Sequence, residues 1–468
     1  MMESTQILHN IKKHVGLFVC YVKRFGKERV YKRLIVVFTL FIVSFYSLFF
    51  WGLASTGSNR GRLAPPQMIE VEDKIALNHI LTNEMSDFDG CEKLDRAIER
   101  FMRANAVKGA SFAVMNDDKL LYAKGYGYIN DSDSIPCTVK NIFRIASVSK
   151  LITAIGIMKL KEDGRLQLSD KVFGSNGILN DSVYLNYKDK KLEMITIDDL
   201  LRHRGGFRSP HGDPMFNAKT VAGFLKKELP LSTRDYVEYA TRVGLRWKPG
   251  TSSRYSNLGY LILSSVIEKL SGSRYEEYIK NNIFEPLGIY DIHIAENFPE
   301  DRDEHEVYYY DGGNSDFTEA YDGSEDWVEK ANGGNDVKAL LGAGAWVASP
   351  VELLKLVAAV DNIDYRPDIL SFESIEEMLT PQKNLIPIGW SKVTKKEWFR
   401  SGNMSGTNAL IKKEPNGYIW VFVTNTSSWK GPKFYLEINS NIRRALNKVK
   451  EWPQGRDLFS VKQNKDGR

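Results

Sequence analysis

A serine hydroxyl is a poor nucleophile and needs a base within hydrogen-bond reach. Ser147-Val-Ser-Lys150 supplies both groups. On a helix, positions i and i+3 share one face, so the Lys150 amine can reach the Ser147 hydroxyl. Burial and the positive end of a helix both disfavour an ammonium. They lower the lysine pKa and free its lone pair to take the hydroxyl proton. The same helix end stabilises negative charge that develops during acyl transfer. Tyr255-Ser-Asn257, just after Lys248-Pro-Gly250, offers a phenol able to relay a proton. Its amide both donates and accepts beside a lysine. Arg400-Ser-Gly402, followed by Asn403, sets a cation, a hydroxyl and a glycine in succession. On a strand edge that order suits a bound carboxylate and a closely approaching substrate backbone.

Each pattern is cheap on its own. Ser147 in isolation reads as a helix cap. A second Ser-x-x-Lys occurs at Ser427-Ser-Trp-Lys430, and Tyr128-Ile-Asn130 and Tyr184-Leu-Asn186 repeat the Tyr-x-Asn spacing. Context separates the copies. Ser427 follows an apolar strand and runs into Gly431-Pro432, which places it in a loop. Ser147 opens a helical pattern through Leu151, Ile155, Met158 and Leu160 that stops at Gly164.

The remaining elements frame these residues. Leu94, Ile98 and Met102 recur at helical spacing. Ala110–Met115 and Lys119–Lys124 read as a hairpin around Asn116-Asp117-Asp118, and Asn408–Lys412 with Tyr418–Thr424 as a second around Glu414-Pro-Asn-Gly417. Helices are predicted over about 257–271, near 274–282, and over 434–449. Residues 300–336 are acidic, rich in Gly and Tyr and weakly periodic, and read as a solvated loop without a calcium-binding spacing.

With these surroundings the chain resembles the serine β-lactamase family in its broad sense. That group takes in β-lactamases with a Tyr-x-Asn motif, D-alanyl-D-alanine carboxypeptidases, related esterases and penicillin-binding-like proteins. The resemblance runs from about 92 to 448. It rests on Phe143-Arg-Ile-Ala-Ser-Val-Ser-Lys-Leu-Ile-Thr-Ala154, Gly164-Arg-Leu-Gln-Leu-Ser-Asp170 and Ile195-Thr-Ile-Asp-Asp-Leu-Leu-Arg-His-Arg-Gly-Gly206. Lys248-Pro-Gly-Thr-Ser-Ser-Arg-Tyr-Ser-Asn257, Ile283-Phe-Glu-Pro-Leu-Gly288, Gly342-Ala-Gly344 and Ser401-Gly-Asn-Met-Ser-Gly406 follow in the family's order.

The resemblance implies an α+β fold of the β-lactamase/transpeptidase type: an antiparallel sheet of N- and C-terminal strands, flanking helices and a mostly helical subdomain. It implies that Ser147 is the acylated nucleophile, Lys150 its base and Tyr255 a proton shuttle, with Asn257 placing lysine and substrate. Arg400, Ser401 and Gly402 fall at a substrate-binding motif. The backbone N–H groups of Ser147 and Asn403 would form the oxyanion hole. Two positions depart from the family pattern. Arg400 stands where Lys or His is usual and cannot exchange protons. His203-Arg-Gly-Gly206 replaces His-Thr-Ser-Gly in a stretch expected to be structural.

Composition sets the remaining bounds. Residues 1–33 carry eight Lys or Arg against Glu3 and Glu28, a charge of +6 in a chain whose total is +5. The basic excess is thus confined to the tail, and nothing beyond it points to nucleic acid. Leu34 to Leu53 holds no charge, and twenty residues span roughly 30 Å as a helix, the thickness of a bilayer's apolar core. The expected organisation is a cytoplasmic tail (1–33), a transmembrane helix (34–53), a linker (54–90), a hydrolase domain (91–450) and a polar tail (451–468). Cations flanking the span should stay inside, which puts the catalytic domain in the periplasm or outside the cell. Cys91 and Cys137 would share that compartment, either as a disulfide or as two thiols. The seven histidines form no His-x-His or His-Glu-x-x-His pattern, so neither a metal nor a cofactor is expected. Two functions follow. One is a membrane-anchored serine acyl hydrolase for D-Ala-type cell-wall peptides, β-lactams or small esters and amides. The other is a non-catalytic penicillin-binding-like module that recognises peptidoglycan fragments or a protein partner.

Overall fold

The computed structural model describes residues 74–462 apart from 131 and 313–316. The basic tail, the apolar span and most of the linker lie outside the described residues, as does the end of the polar tail. Among the described residues no helix is long and apolar enough to cross a membrane.

Strands β1 (Gly109–Asn116), β2 (Lys119–Asn130), β3 (Ile135–Pro136), β9 (Lys392–Val393), β10 (Trp398–Met404), β11 (Thr407–Lys413) and β12 (Ile419–Thr424) form one antiparallel sheet. Its order is β3-β2-β1-β12-β11-β10-β9, so the N- and C-terminal strands meet at β1 and β12. Phe112 faces Phe422 there, and Val114 faces Trp420. Both predicted hairpins are present; three of their strands run longer than expected, and β12 begins one residue later.

Alternation along each strand feeds two cores, because successive side chains point to opposite faces. Ala110, Phe112 and Val114 join Leu410, Trp420 and Phe422 on one face. Helices α1 (Glu92–Ala104) and α6 (Tyr435–Leu446) cover it through Leu94, Ile98, Ile438 and Ile442. Ala113 and Met115 point the other way, with Ala409, Ile411, Val421 and Val423, into the larger core. Cys91 lies in the first core and Cys137 in the second; both are buried free thiols, so the disulfide alternative does not hold.

On that second face sits α2 (Ser149–Glu162), buried over most of its surface from Ser149 to Leu160. A helix apolar on all sides needs neighbours on all sides. Of α3 (Thr233–Val243), α4 (Asn257–Ser271) and α5 (Pro350–Ala358), which share its core, α4 packs directly against it. The helix expected near 274–282 is Tyr275–Ile279, continued by a wider turn through Phe284. A small sheet of β4 (Phe143–Arg144), β5 (His293–Ile294) and β8 (Trp346–Ala348) anchors the approach to α2.

The segment 300–336 is not simply a solvated loop. Val307 and Tyr309 are fully buried. The buried Arg144 guanidinium lies 4.4 Å from the Tyr309 ring and 3.7 Å from the Glu306 carboxylate, and donates to the Ala331 carbonyl. A ribbon of β6 (Phe317–Glu319) and β7 (Trp327–Glu329) follows. A buried cation needs acceptors, and this segment folds inward to supply them.

At the tip of the β1–β2 hairpin, Asp118 is fully buried, and its carboxylate makes no well-formed hydrogen bond. Buried Asp361 lies against it, with Arg366, Asp368 and Lys413 nearby. Burial pushes both carboxyls above the ordinary range, and the Asp118 charge raises Asp361 further. A raised folded pKa gives stability that is complete below the unfolded value, about 4, and is lost as pH rises. Asp361→Asn should therefore melt within a degree of wild type at acid pH and about 2 °C or more above it at alkaline pH. Thermal melts of both proteins across pH test this; parallel curves would refute it.

Candidate active site

Ser147 lies in a 3-10 turn, Ala146–Val148, that leads directly into α2. It does not itself start the α-helix, but its i+3 relation to Lys150 survives. Ala146 has φ of +47°, a backbone state that costs a non-glycine residue about 1–3 kcal/mol. The turn is held from both sides: Ile145 N–H donates to the Trp346 carbonyl at 3.0 Å, and Trp346 N–H to Ser149 Oγ at 3.2 Å.

Lys150 is fully buried, and its Nζ lies 3.2 Å from Ser147 Oγ. Nζ also donates to Asn257 Oδ1 at 2.6 Å and to the Ala343 carbonyl at 2.5 Å. A neutral amine has two N–H groups and one lone pair. With both N–H groups engaged, the lone pair remains for the Ser147 hydroxyl. Burial, assisted by the Arg400 charge, lowers the Lys150 pKa to about 8, against the opposing pull of Tyr255.

Tyr255 Oη lies 2.5 Å from Ser147 Oγ. Half of the side chain, 50%, is exposed to the cleft, while its hydroxyl is turned into the cluster. Burial alone would raise this phenol. The cations of Lys150 and Arg400 outweigh it and hold the pKa below the ordinary tyrosine value. Asn257 begins α4, which Ser256 caps by accepting from Gly259 N–H at 3.1 Å. The cap thus fixes Tyr255 and Asn257 on either side of the helix start. His203 packs against the Tyr255 ring at 4.7 Å, and its Nδ1 accepts from Ser256 N–H at 3.2 Å. Burial and the two nearby cations hold its pKa well below the usual histidine value, so it is a neutral prop.

Arg400 is placed otherwise than a carboxylate-binding cation requires. It is only 2% exposed, and its Nε donates to the Ser147 carbonyl at 2.7 Å. The reason lies in strand alternation. Arg400 and Gly402 pair with Ile411 and Ala409, on the sheet face that covers the nucleophile turn. Gly402 serves that turn rather than a substrate backbone: a Cβ there would stand 2.2 Å from the Ile145 carbonyl oxygen and 3.0 Å from Ser147 N. Ser401 and Asn403 line the cleft. β9 pairs only with Trp398 and Phe399, leaving the outer edge of β10 open beyond them. Ser401 N–H points outward to Ser391 Oγ at 3.4 Å, and alternation sends the Asn403 N–H to the same open edge.

Replacing Arg400 with methionine removes a cation that suppresses the Lys150 ammonium. The alkaline-rising limb of Ser147 acylation should shift to higher pH, and Arg400→Lys should restore part of the shift. Acylation rates measured across pH check this; an unmoved limb in Arg400→Met would contradict it.

The structure thus gathers Ser147, Lys150, Tyr255, Asn257, Ser401, Gly402 and Asn403 at one cleft, with Arg400 beneath it. Sequence reading missed two participants. Asp213 Oδ2 accepts from Asn257 Nδ2 at 2.6 Å, which turns Asn257 Oδ1 toward Lys150. The other is the Ala343 carbonyl, a backbone group with no signature in residue type. The second Ser-x-x-Lys is indeed a loop: Ser427 Oγ donates to Asp311, and Lys430 pairs with Glu437.

Residues 94–434 match the Beta-lactamase family model. A protein of Escherichia coli O157:H7 named as a D-alanyl-D-alanine carboxypeptidase is 27% identical over 205 residues, 42% of this chain and 45% of its own length. Protein flp of Staphylococcus aureus strain N315 is 28% identical over 203 residues, 42% of this chain and 37% of its own. The chain therefore aligns with less than half the length of either curated relative. Among solved structures, the octameric penicillin-binding protein homologue from Pyrococcus abyssi has a TM-score of 0.57 at 26% identity, covering 78% of this chain and 80% of that one. D-amino acid amidase from Ochrobactrum anthropi SV3 has the same fold, with a TM-score of 0.57 at 22% identity over 76% of this chain and 98% of its own. Because the family match runs from α1 to the turn before α6 and takes in Ser147, Lys150, Tyr255 and Arg400, the chain belongs to the Beta-lactamase family.

Proposed function

We propose that the protein is a serine acyl hydrolase whose reaction passes through an ester on Ser147. The observation that carries this reading is the saturated amine of Lys150, whose one unengaged direction is the Ser147 hydroxyl. Lys150 takes the hydroxyl proton as Ser147 Oγ attacks the substrate carbonyl carbon. The oxyanion so formed accepts from the N–H groups of Ser147 and Asn403, at the positive end of α2. Tyr255 then gives its proton to the departing amine or alkoxide and recovers one from Lys150. Water attacks the Ser147 ester as the same pair takes one of its protons; that proton passes to Oγ as the carbon–Oγ bond breaks, and the acid leaves with the other.

Relatives named for D-alanyl peptides and D-amino acid amides support an amide, ester or β-lactam substrate. The inward setting of Arg400 leaves the nucleophile unobstructed, which favours turnover over a purely binding module. Purified protein should hydrolyse members of a panel of small esters, D-amino acid amides and a chromogenic β-lactam, and Ser147→Ala should not. Activity that survives Ser147→Ala, or its absence across the panel, would reject the proposal.

We further propose that residues 34–53 anchor this domain to a membrane, with the basic tail on the cytoplasmic side. Support comes from the uncharged apolar run and from the +6 charge of residues 1–33.

A further inference from the structure

We propose that the substrate of Ser147 carries a long, uncharged apolar arm, which lies in a groove leading from the catalytic cleft past Phe216 to Phe317 and Trp327. This rests on the acyl-hydrolase reading above and names the substrate class it leaves open.

The cleft at Ser147 has a volume of about 430 Å³, and Phe216, Leu340, Met404, Pro432 and Tyr435 form much of its wall. Among the described residues Arg400 is the one charged residue lining it; its Nε is bonded to the Ser147 carbonyl, and its Nη2, though without a partner, is buried out of reach of the cleft. A substrate carboxylate would leave water there without an exposed cation to receive it, and such desolvation is unfavourable. An apolar group meets no such barrier.

Phe216 is also a wall of a second cavity, of about 380 Å³, bounded on its far side by Phe317 and Trp327. The ribbon geometry explains why those two rings face it. Phe317 pairs with Glu329, and Glu319 with Trp327, so Phe317 and Trp327 share one face, with the engaged carboxylates of Glu319 and Glu329 beside them. Thr318 and Val328 take the opposite face, packed over Gly334 and Gly333. The inward face is therefore filled, and the aromatic face is left outward.

Phe317 is 59% exposed and Trp327 68% exposed, within a segment otherwise acidic and polar. Two large exposed aromatics on a three-residue ribbon gain nothing from the fold. Large aromatics left exposed together on one face are a feature of binding sites. The charged groups of the second cavity are already matched. Lys219 pairs with Glu319, and the half-buried Asp336 carboxylate accepts from Asn297 Nδ2 and Ala339 N–H. The groove thus extends the cleft without offering a free cation. A third cavity, which Tyr255 also lines, carries the exposed Arg254 and would be the destination of an anionic substrate instead.

The test uses the full-length protein with two series of p-nitrophenyl and alkyl esters. In one the acyl chain lengthens from two to ten carbons; in the other the alcohol does. Wild-type kcat/KM should rise at least about tenfold along one series, consistent with burial of successive methylenes. Phe317→Ser combined with Trp327→Ser should cut that rise to less than about threefold and leave acetate-ester turnover unchanged. The double variant alters exposed side chains, and its acetate activity reports that the fold is intact. A flat or falling profile in both series, a rise that the double variant preserves, or a preference for carboxylate-bearing esters that Arg254→Ser abolishes would each overturn the apolar arm. Those outcomes leave Ser147 chemistry standing. Loss of all turnover, acetate included, with Ser147 unmodified, would instead overturn the acyl-hydrolase reading and this proposal together.

Discussion

Lys150→Ala should slow acylation of Ser147 by at least about a hundredfold, the usual contribution of a positioned general base. Stopped-flow or labelling rates with an activated ester give the number. The size of the effect follows from the geometry: among the described residues the side chains bonded to Ser147 Oγ are those of Lys150 and Tyr255. The substitution also leaves Asn257 Oδ1 and the Ala343 carbonyl without their donor, so a loss of stability is expected beside the loss of rate. Two readouts separate the effects. Wild-type acylation should climb as pH rises through about 8, because the neutral amine is the active form, and this limb should vanish in Lys150→Ala. Small alkylamines should restore part of the variant's rate by entering the vacated space. A variant that is folded, acylates at the wild-type rate and keeps the same pH limb would remove Lys150 from the base role.

Tyr255→Phe should be nearly as damaging, by about a hundredfold with amides, measured as kcat/KM. The loss should be markedly smaller with p-nitrophenyl esters. An amine leaves only when protonated, whereas p-nitrophenolate is stable as an anion. Tyr255 Oη lies 2.5 Å from Ser147 Oγ, close to where a leaving group must depart, and its lowered pKa eases proton transfer. Removing the hydroxyl keeps the ring that packs on His203, so the turn before α4 should hold its shape. An equal loss with amides and activated esters would assign Tyr255 to attack rather than departure.

How far the sequence reveals this site depends on the kind of signal each residue leaves. Ser147 with Lys150, and Tyr255 with Asn257, are visible because helix periodicity fixes the first pair and a capped helix start the second. The central strands are visible through their turns, but their ends are not. β1 and β12 are buried on both faces, so polarity does not alternate along them and only side-chain size does, Phe112 against Ala113. Arg400 is visible as a cation and invisible in direction. Which face it occupies depends on its register with Ile411, across a hairpin turn. Asp213 is 44 residues from its partner Asn257 and leaves no local mark. In 300–336, acidic composition obscures a period-2 signal that is present: Val307 and Tyr309 point inward and Tyr308 and Tyr310 less so.

The most direct test is to find the atom that is acylated. Wild-type protein treated with a fluorophosphonate or a slow-turnover β-lactam, then digested and sequenced by mass spectrometry, should carry one adduct, on Ser147. Ser147→Ala should carry none. A modified residue elsewhere, such as Ser427, or a label that persists in Ser147→Ala, would contradict the account.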